Sequence, residues 1–196
     1  PDGRTLASST SDGLLQVWDS ETGQCKRVIR AHQVTIWALI AHPTRPLVAT
    51  ASEEQSVKFW STKTWDCLRT FQGYDNSILT LALSPDEQQL AVGSQDQAVR
   101  FWDLSTKTCT RVLHDRNNCT WRIDWNPKGH RLAIGGLDGH FNLWDTLSDR
   151  CLKIKHNALG IVHNLAWHPD GIHLVMTTTS DYSLSIWNVE TQQCVQ

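Results

Sequence analysis

The chain has 196 residues, 40% of them hydrophobic, and 18 Lys plus Arg against 20 Asp plus Glu give a formal net charge of −2. That balance argues against a nucleic-acid footprint and against attraction to an anionic membrane. No apolar run approaches the ~20 residues of a membrane span, and no signal peptide opens the chain, so a cytoplasmic setting is expected.

Short β-rich runs alternate with turn residues from end to end, the pattern of antiparallel strands joined by hairpins. Strands are predicted over 4–10, 14–18 and 25–30, then 34–41, 47–52, 56–60 and 67–71. The clearest unit follows. A largely apolar strand over 78–83 is expected to be buried on both faces, and Ser84-Pro85-Asp86-Glu87 turns it, with proline presetting φ. Strands over 89–94, 98–102 and 109–113 complete that unit, and further strands are predicted over 119–125, 131–136, 140–144, 151–155, 162–167, 173–179, 183–187 and 193–196.

These runs repeat in phase. Trp18, Trp60, Trp102, Trp144 and Trp187 lie 42, 42, 42 and 43 residues apart, the acidic residues Asp12, Glu54, Asp96, Asp138 and Asp181 keep step, and Pro1, Pro43, Pro85, Pro127 and Pro169 are 42 apart throughout. Three residue types holding one phase indicate a propeller or solenoid rather than an ordinary globular core. The fold class is all-β, with one repeat segment over 1–196 whose units run approximately 1–30, 31–72, 73–114, 115–156 and 157–196. The single inserted residue falls between Pro169 and Asp181, and a β-bulge in the Met176–Ser180 run is expected to absorb it. The chain starts inside a repeat, so it reads as a piece of a longer protein.

The residues Trp18-Asp19, Trp102-Asp103 and Trp144-Asp145, with Trp60-Ser61 and Trp187-Asn188 as drifted copies, resemble the WD-repeat β-propeller family. Pro1-Asp2-Gly3, Pro169-Asp170-Gly171 and Thr22-Gly23-Gln24-Cys25 look most like the repeat arrays of bacterial signal-transduction ATPases. The resemblance implies about 4.7 four-stranded blades, an incomplete arc of a larger, about seven-bladed ring, the remaining blades coming from the parent chain. It also implies a hydrogen-bonded set in each blade. Here His32, Thr50 or Ser52, Glu54 and Trp60 match its positions, although Glu is one methylene longer than the usual Asp; Asp12 with Trp18, Asp96 with Trp102, Asp138 with Trp144 and Asp181 with Trp187 carry partial sets. Tyr74, Arg116 and Ala158 stand where the other histidines belong. Packing should outweigh these networks, since a buried Trp contributes about 4–6 kcal/mol gross.

Five of the six cysteines, Cys25, Cys67, Cys109, Cys151 and Cys194, each follow a repeat tryptophan by seven residues. Equivalent places in successive blades are too far apart to bridge, so these are expected as small buried hydrophobes of a reduced protein. Asn118-Cys119-Thr120 is a glycosylation sequon only if the chain is secreted. Catalytic and metal motifs do not emerge, and no cofactor or metal is expected. His42 and His168 precede turn prolines and read as solvated. His114, His130, His140, His156 and His173 are scattered without partners at metal spacing. Gly135-Gly136-Leu137-Asp138-Gly139 lacks the Lys and helix of a P-loop and falls in phase with an ordinary turn.

A propeller offers a rigid face whose strand ends display side chains. By the resemblance, three sets of positions line it: Thr35, Ser77, Cys119 and Ile161; Trp37, Leu79, Trp121 and His163; and Ser11, Glu53, Gln95, Leu137 and Ser180. Trp37 and Trp121 either dominate a partner contact, as aromatic hot spots do, or fill gaps between blades. Arg122 and Asp124 interrupt an apolar strand, either as a charge pair at the channel or as a mutually satisfied structural pair. Trp65 replaces the turn residue Gly23, as a rim contact or a lid. The leading expectation is a non-catalytic scaffold or sensor for a protein or peptide partner. The alternatives are an enzymatic channel holding His163 and Asp124, and nucleic-acid binding resting on Lys26-Arg27 and Arg30.

Overall fold

A computed structural model describes residues 3–114, 120–148, 150–154, 160–179 and 183–195, with backbone alone at 153 and 154. Nineteen strands appear among them: β1 Thr5–Ser9, β2 Leu14–Asp19, β3 Cys25–Arg30, β4 Ile36–Ala41, β5 Leu47–Ser52, β6 Val57–Ser61, β7 Cys67–Phe71, β8 Ile78–Leu83, β9 Gln89–Ser94, β10 Ala98–Asp103, β11 Cys109–His114, β12 Thr120–Trp125, β13 Arg131–Gly136, β14 Phe141–Asp145, β15 Arg150–Ile154, β16 Val162–Trp167, β17 His173–Thr178, β18 Leu184–Asn188 and β19 Gln193–Cys194. They form five sheets in chain order, β1-β2-β3 and then four sheets of four strands each. The strand pairings among the described residues are antiparallel, as hairpin connections require. The chain divides into two compact units, Pro1–Leu79 and Thr80–Gln196. No helix among the described residues is long and apolar enough to cross a membrane.

The second-to-third-strand hairpins place Gly13, Gln55, Gln97 and Gly139 in the left-handed region, at φ 86, 66, 65 and 76°. At Gly13 only glycine fits, because a Cβ there would stand 2.3 Å from the carbonyl oxygen of His32. The expected bulge does not fall within the described β17–β18 ladder. The β17–β18 ladder runs unbroken from His173↔Asn188 to Thr177↔Leu184, whereas the preceding sheet pairs Gly135↔Phe141. No bulge therefore interrupts the β17–β18 ladder among the described residues, and Ser180, the end of the expected run, lies outside them.

In the first unit, β1 packs on β4, and Leu15, Ala31, Ile36 and Trp60 form a buried cluster against which Trp65 leans. Trp65 sits at φ 65°, a conformation disfavoured for a bulky side chain, and lines a cleft of about 640 Å³ with Leu6, Leu39 and Pro46. It packs as a lid rather than hanging free. In the second unit, Val99, Phe101, Ile123, Trp125 and Ile134 join the sheets β8–β11 and β12–β15, with Phe101 edge-on to Trp125 at 5.5 Å. Phe141, Val162, Trp167, Met176 and Trp187 join the next pair of sheets. Gly135 permits that approach, because a Cβ there would meet Val162 Cγ1 at 2.6 Å.

The cysteines correct the expectation of burial. Among the described residues Cys25, Cys67, Cys109, Cys151 and Cys194 form no disulfide, and all five are exposed. Cys25, Cys67, Cys109 and Cys194 lie on β3, β7, β11 and β19, the last strand of each of their sheets, and Cys151 lies on β15. A last strand has no further strand beside it, so its outward side chains meet solvent.

Candidate functional site

The first strand of three sheets carries the same irregularity. In β4 the ladder steps from Ile36↔Ser52 to Ala38↔Ala51, leaving Trp37 as an extra residue. In β12 it steps from Thr120↔Gly136 to Arg122↔Gly135, leaving Trp121. In β16 it steps from Val162↔Thr178 to Asn164↔Thr177, leaving His163. Such a bulge sets two residues against one and re-aims the extra side chain. The residue before it stays in the core each time, with Ile36, Thr120 and Val162 all buried, while Trp37 is 41% exposed, Trp121 half-buried and His163 exposed. Leu79 departs from this pattern: at 1% exposure it belongs to the core and is unavailable to a partner.

The other expected face residues divide. Thr35 is tied into the structure: its hydroxyl donates to the Ser11 carbonyl at 3.0 Å, and its own carbonyl accepts from Glu53 N–H and Ser52 Oγ. Ser77 is buried. Ile161 exchanges hydrogen bonds with Thr179 through its N–H and carbonyl. Glu53 and Leu137 are exposed and Gln95 is half-buried. Cys119, Ser180 and Asp181 lie outside the described residues.

The second sheet holds a connected polar set. His32 Nδ1 lies 2.9 Å from Glu54 Oε1 and Nε2 lies 2.7 Å from Thr50 Oγ1; the Trp60 indole N–H donates to the same Thr50 oxygen at 2.9 Å. Burial holds the His32 imidazolium in disfavour, outweighing the pull of Glu54. With a neutral ring, Nδ1–H donates to Glu54 and Nε2 accepts from the Thr50 hydroxyl. The protons thus run one way from Trp60 to Glu54. The longer arm of Glu is no handicap, since Oε2 accepts the Gln33 N–H at 2.8 Å and Oε1 also receives Ser56 Oγ and Lys58 Nζ. Burial raises the Glu54 pKa, but the donors led by Gln33 more than offset it and hold the carboxyl down to about 2. Ser52 stands beside the chain and donates to the Thr35 carbonyl instead.

In the first, third and fourth sheets the pattern follows the residue ten places before the repeat tryptophan. Trp18 donates to Ser8 Oγ at 2.8 Å, as Trp60 does to Thr50. For Trp102 and Trp144 that place is taken by Val92 and Ile134, whose side chains carry no acceptor. Asp96 pairs with Arg100 at 2.6 Å in place of a histidine. Asp12 accepts from Thr10 Oγ1, and Asp138 from His140 N–H.

Asp124 is cement between sheets. Its two carboxylate oxygens accept the N–H groups of Trp167, at 2.7 Å on β16, and of Trp125, at 3.0 Å. Burial raises its pKa, and those two donors only partly offset the rise. Between β8 and β12 the same link is made by Thr80, whose hydroxyl accepts the Ile123 N–H. Arg122 donates to the Trp121 carbonyl at 3.2 Å. Asp124 and Arg122 are thus each anchored to backbone, and the carboxylate expected beside His163 in a channel is bonded to the Trp125 and Trp167 N–H groups. Sequence reasoning missed Trp125 and Trp167, both 8% exposed, because they lie outside the repeat-tryptophan phase. It also left His173 without partners, whereas His168 Nδ1 and His173 Nδ1 both approach Asp170 Oδ2, at 3.0 and 2.6 Å.

A family model described as the IFT122 first beta-propeller matches residues 1–196. No curated protein gives a significant match. The resemblance to the repeat arrays of bacterial signal-transduction ATPases finds no support in the family match.

Proposed function

Because the chain belongs to the family of the IFT122 first beta-propeller, a WD-repeat type of domain, we propose that it is a non-catalytic scaffold module. It engages a protein or peptide partner through side chains displayed at the bulged first strands. The observation that supports this reading is the bulge itself. It lifts Trp37, Trp121 and His163 out of the ladder while their neighbours stay in the core. A 41% exposed tryptophan is costly to leave in water, and truncation of such a residue in a protein interface commonly costs 2 kcal/mol or more.

Replacing Trp37 and Trp121 with alanine in the full-length protein, then quantifying co-purifying partners beside the unfolding midpoint, tests the proposal. The expected result is a loss of partner recovery of about 30-fold per tryptophan, with the midpoint of W37A unchanged. Undiminished recovery together with a lowered midpoint would make both residues packing elements and end the reading.

A further inference from the structure

The turn joining β16 to β17 reads His168-Pro169-Asp170-Gly171-Ile172-His173. Asp170 Oδ1 accepts the N–H groups of Ile172 and His173 at 2.7 and 3.0 Å, the local bond by which Asp shapes a turn. Its other oxygen, Oδ2, is left for the imidazoles. His173 Nδ1 reaches it at 2.6 Å and His168 Nδ1 at 3.0 Å. One ligand atom from each of the three residues lies within 4.8 Å of the others, the one such group among the described residues.

The Asp170 N–H donates to His168 Nδ1 at 3.2 Å, so the lone pair of that nitrogen is held by a backbone N–H, which a bound ion displaces. That nitrogen faces a carboxylate oxygen with no proton between them, since one ring nitrogen cannot accept and donate at once. A cation between the two replaces that repulsion with coordinate bonds. Metal–nitrogen and metal–oxygen distances near 2.0–2.2 Å in tetrahedral geometry set ligand atoms about 3.3 Å apart, so the two separations from Asp170 Oδ2 open by less than about 1 Å on loading.

The turn is held from the neighbouring sheet. Asn126 Nδ2 donates to the Gly171 carbonyl at 2.8 Å, and a Cβ on Gly171 would stand 2.9 Å from Asn126 Oδ1. The ligands are therefore positioned before any ion arrives. The equivalent turns carry Ser84 with Gln89, Asn126 with Arg131, and His42 with Leu47, so the donor set belongs to the fifth sheet and not to the repeat. Two imidazoles and one carboxylate suit late first-row divalent ions rather than Mg²⁺ or Ca²⁺, which prefer all-oxygen shells. The His168 side chain is 58% exposed, which leaves further coordination positions to water.

We propose that this turn binds one divalent transition-metal cation through His168 Nδ1, Asp170 Oδ2 and His173 Nδ1, the proton on His173 Nδ1 leaving for solvent. Co²⁺ titration of the full chain after thiol alkylation tests it; alkylation removes the exposed cysteines as competing ligands. Uptake of one equivalent is expected, with visible bands of nitrogen and oxygen ligation. Affinity should fall about 10-fold or more in D170N and in the double variant H168S/H173Q, whose residues are those of the third sheet's own turn. Equal uptake by the double variant overturns the proposal. Ring signals of His168 and His173 should broaden in the unmutated chain at one equivalent of Co²⁺. Their persistence overturns the proposal whatever the variants' folding.

Discussion

Thr50→Val isolates the polar chain in the second sheet. Valine keeps the shape and the strand preference of threonine but replaces its hydroxyl with a methyl. His32 Nε2 then loses its donor at 2.7 Å and the Trp60 indole its acceptor at 2.9 Å, in a place where His32 and Thr50 are 0% and Trp60 5% exposed. Each orphaned buried group costs about 1–3 kcal/mol, and the added methyl returns about 0.8 kcal/mol. The expected net loss is about 1–5 kcal/mol. Urea unfolding followed by tryptophan fluorescence reads it directly, with Thr50→Ser, which keeps the oxygen, expected to lose about 1 kcal/mol from the missing methyl. Trp60→Phe should cost less in the valine background than in the unmutated chain, because its partner is already gone. A valine variant within about 0.5 kcal/mol of the unmutated chain, or a serine variant as damaged as the valine one, refutes the reasoning.

Acid should weaken the fold in two stages. His32 has its folded pKa lowered below the ordinary 6.5, so its contribution is complete above 6.5 and is lost as pH falls toward the folded value. Glu54 drops from 4.5 to about 2 on folding, so its contribution is lost as pH falls from 4.5 through about 2. Asp124 has the opposite sign, its raised pKa giving stability that is present below 3.8 and lost as pH rises through the folded value. Urea midpoints taken from neutral pH to about pH 3 should flatten in their upper range in H32Q and in their lower range in E54Q; unchanged profiles would contradict both assignments. Gly135→Ala should destabilise by about 1–3 kcal/mol, because its methyl meets Val162 Cγ1 at 2.6 Å, and a neutral result in urea would show that β16 yields freely.

The strands were legible because alternation and turn residues are local signals: the predicted 47–52, 89–94, 131–136 and 162–167 coincide with β5, β9, β13 and β16. Position within a sheet was not. The cysteines sit at one phase of the repeat, yet their exposure follows from strands with no neighbour on one side, which the sequence of a single unit does not record. Asp124 read as a charge interrupting an apolar strand, and its function as an acceptor for Trp167 N–H depends on a residue 43 places on. His168 and His173 looked unrelated because nothing in their spacing matches a familiar ligand motif; the Asp170 turn brings them together.

The bulges have a consequence for how such a module diversifies. At 37, 121 and 163 the side chain occupies a slot that the ladder skips, so its identity is uncoupled from the pairing of the strands around it. Tryptophan and histidine already share the same socket with the same scaffold beneath. On the proposed reading, what the module grips can therefore be exchanged like the bit of a tool, at little expense to the sheet that holds it.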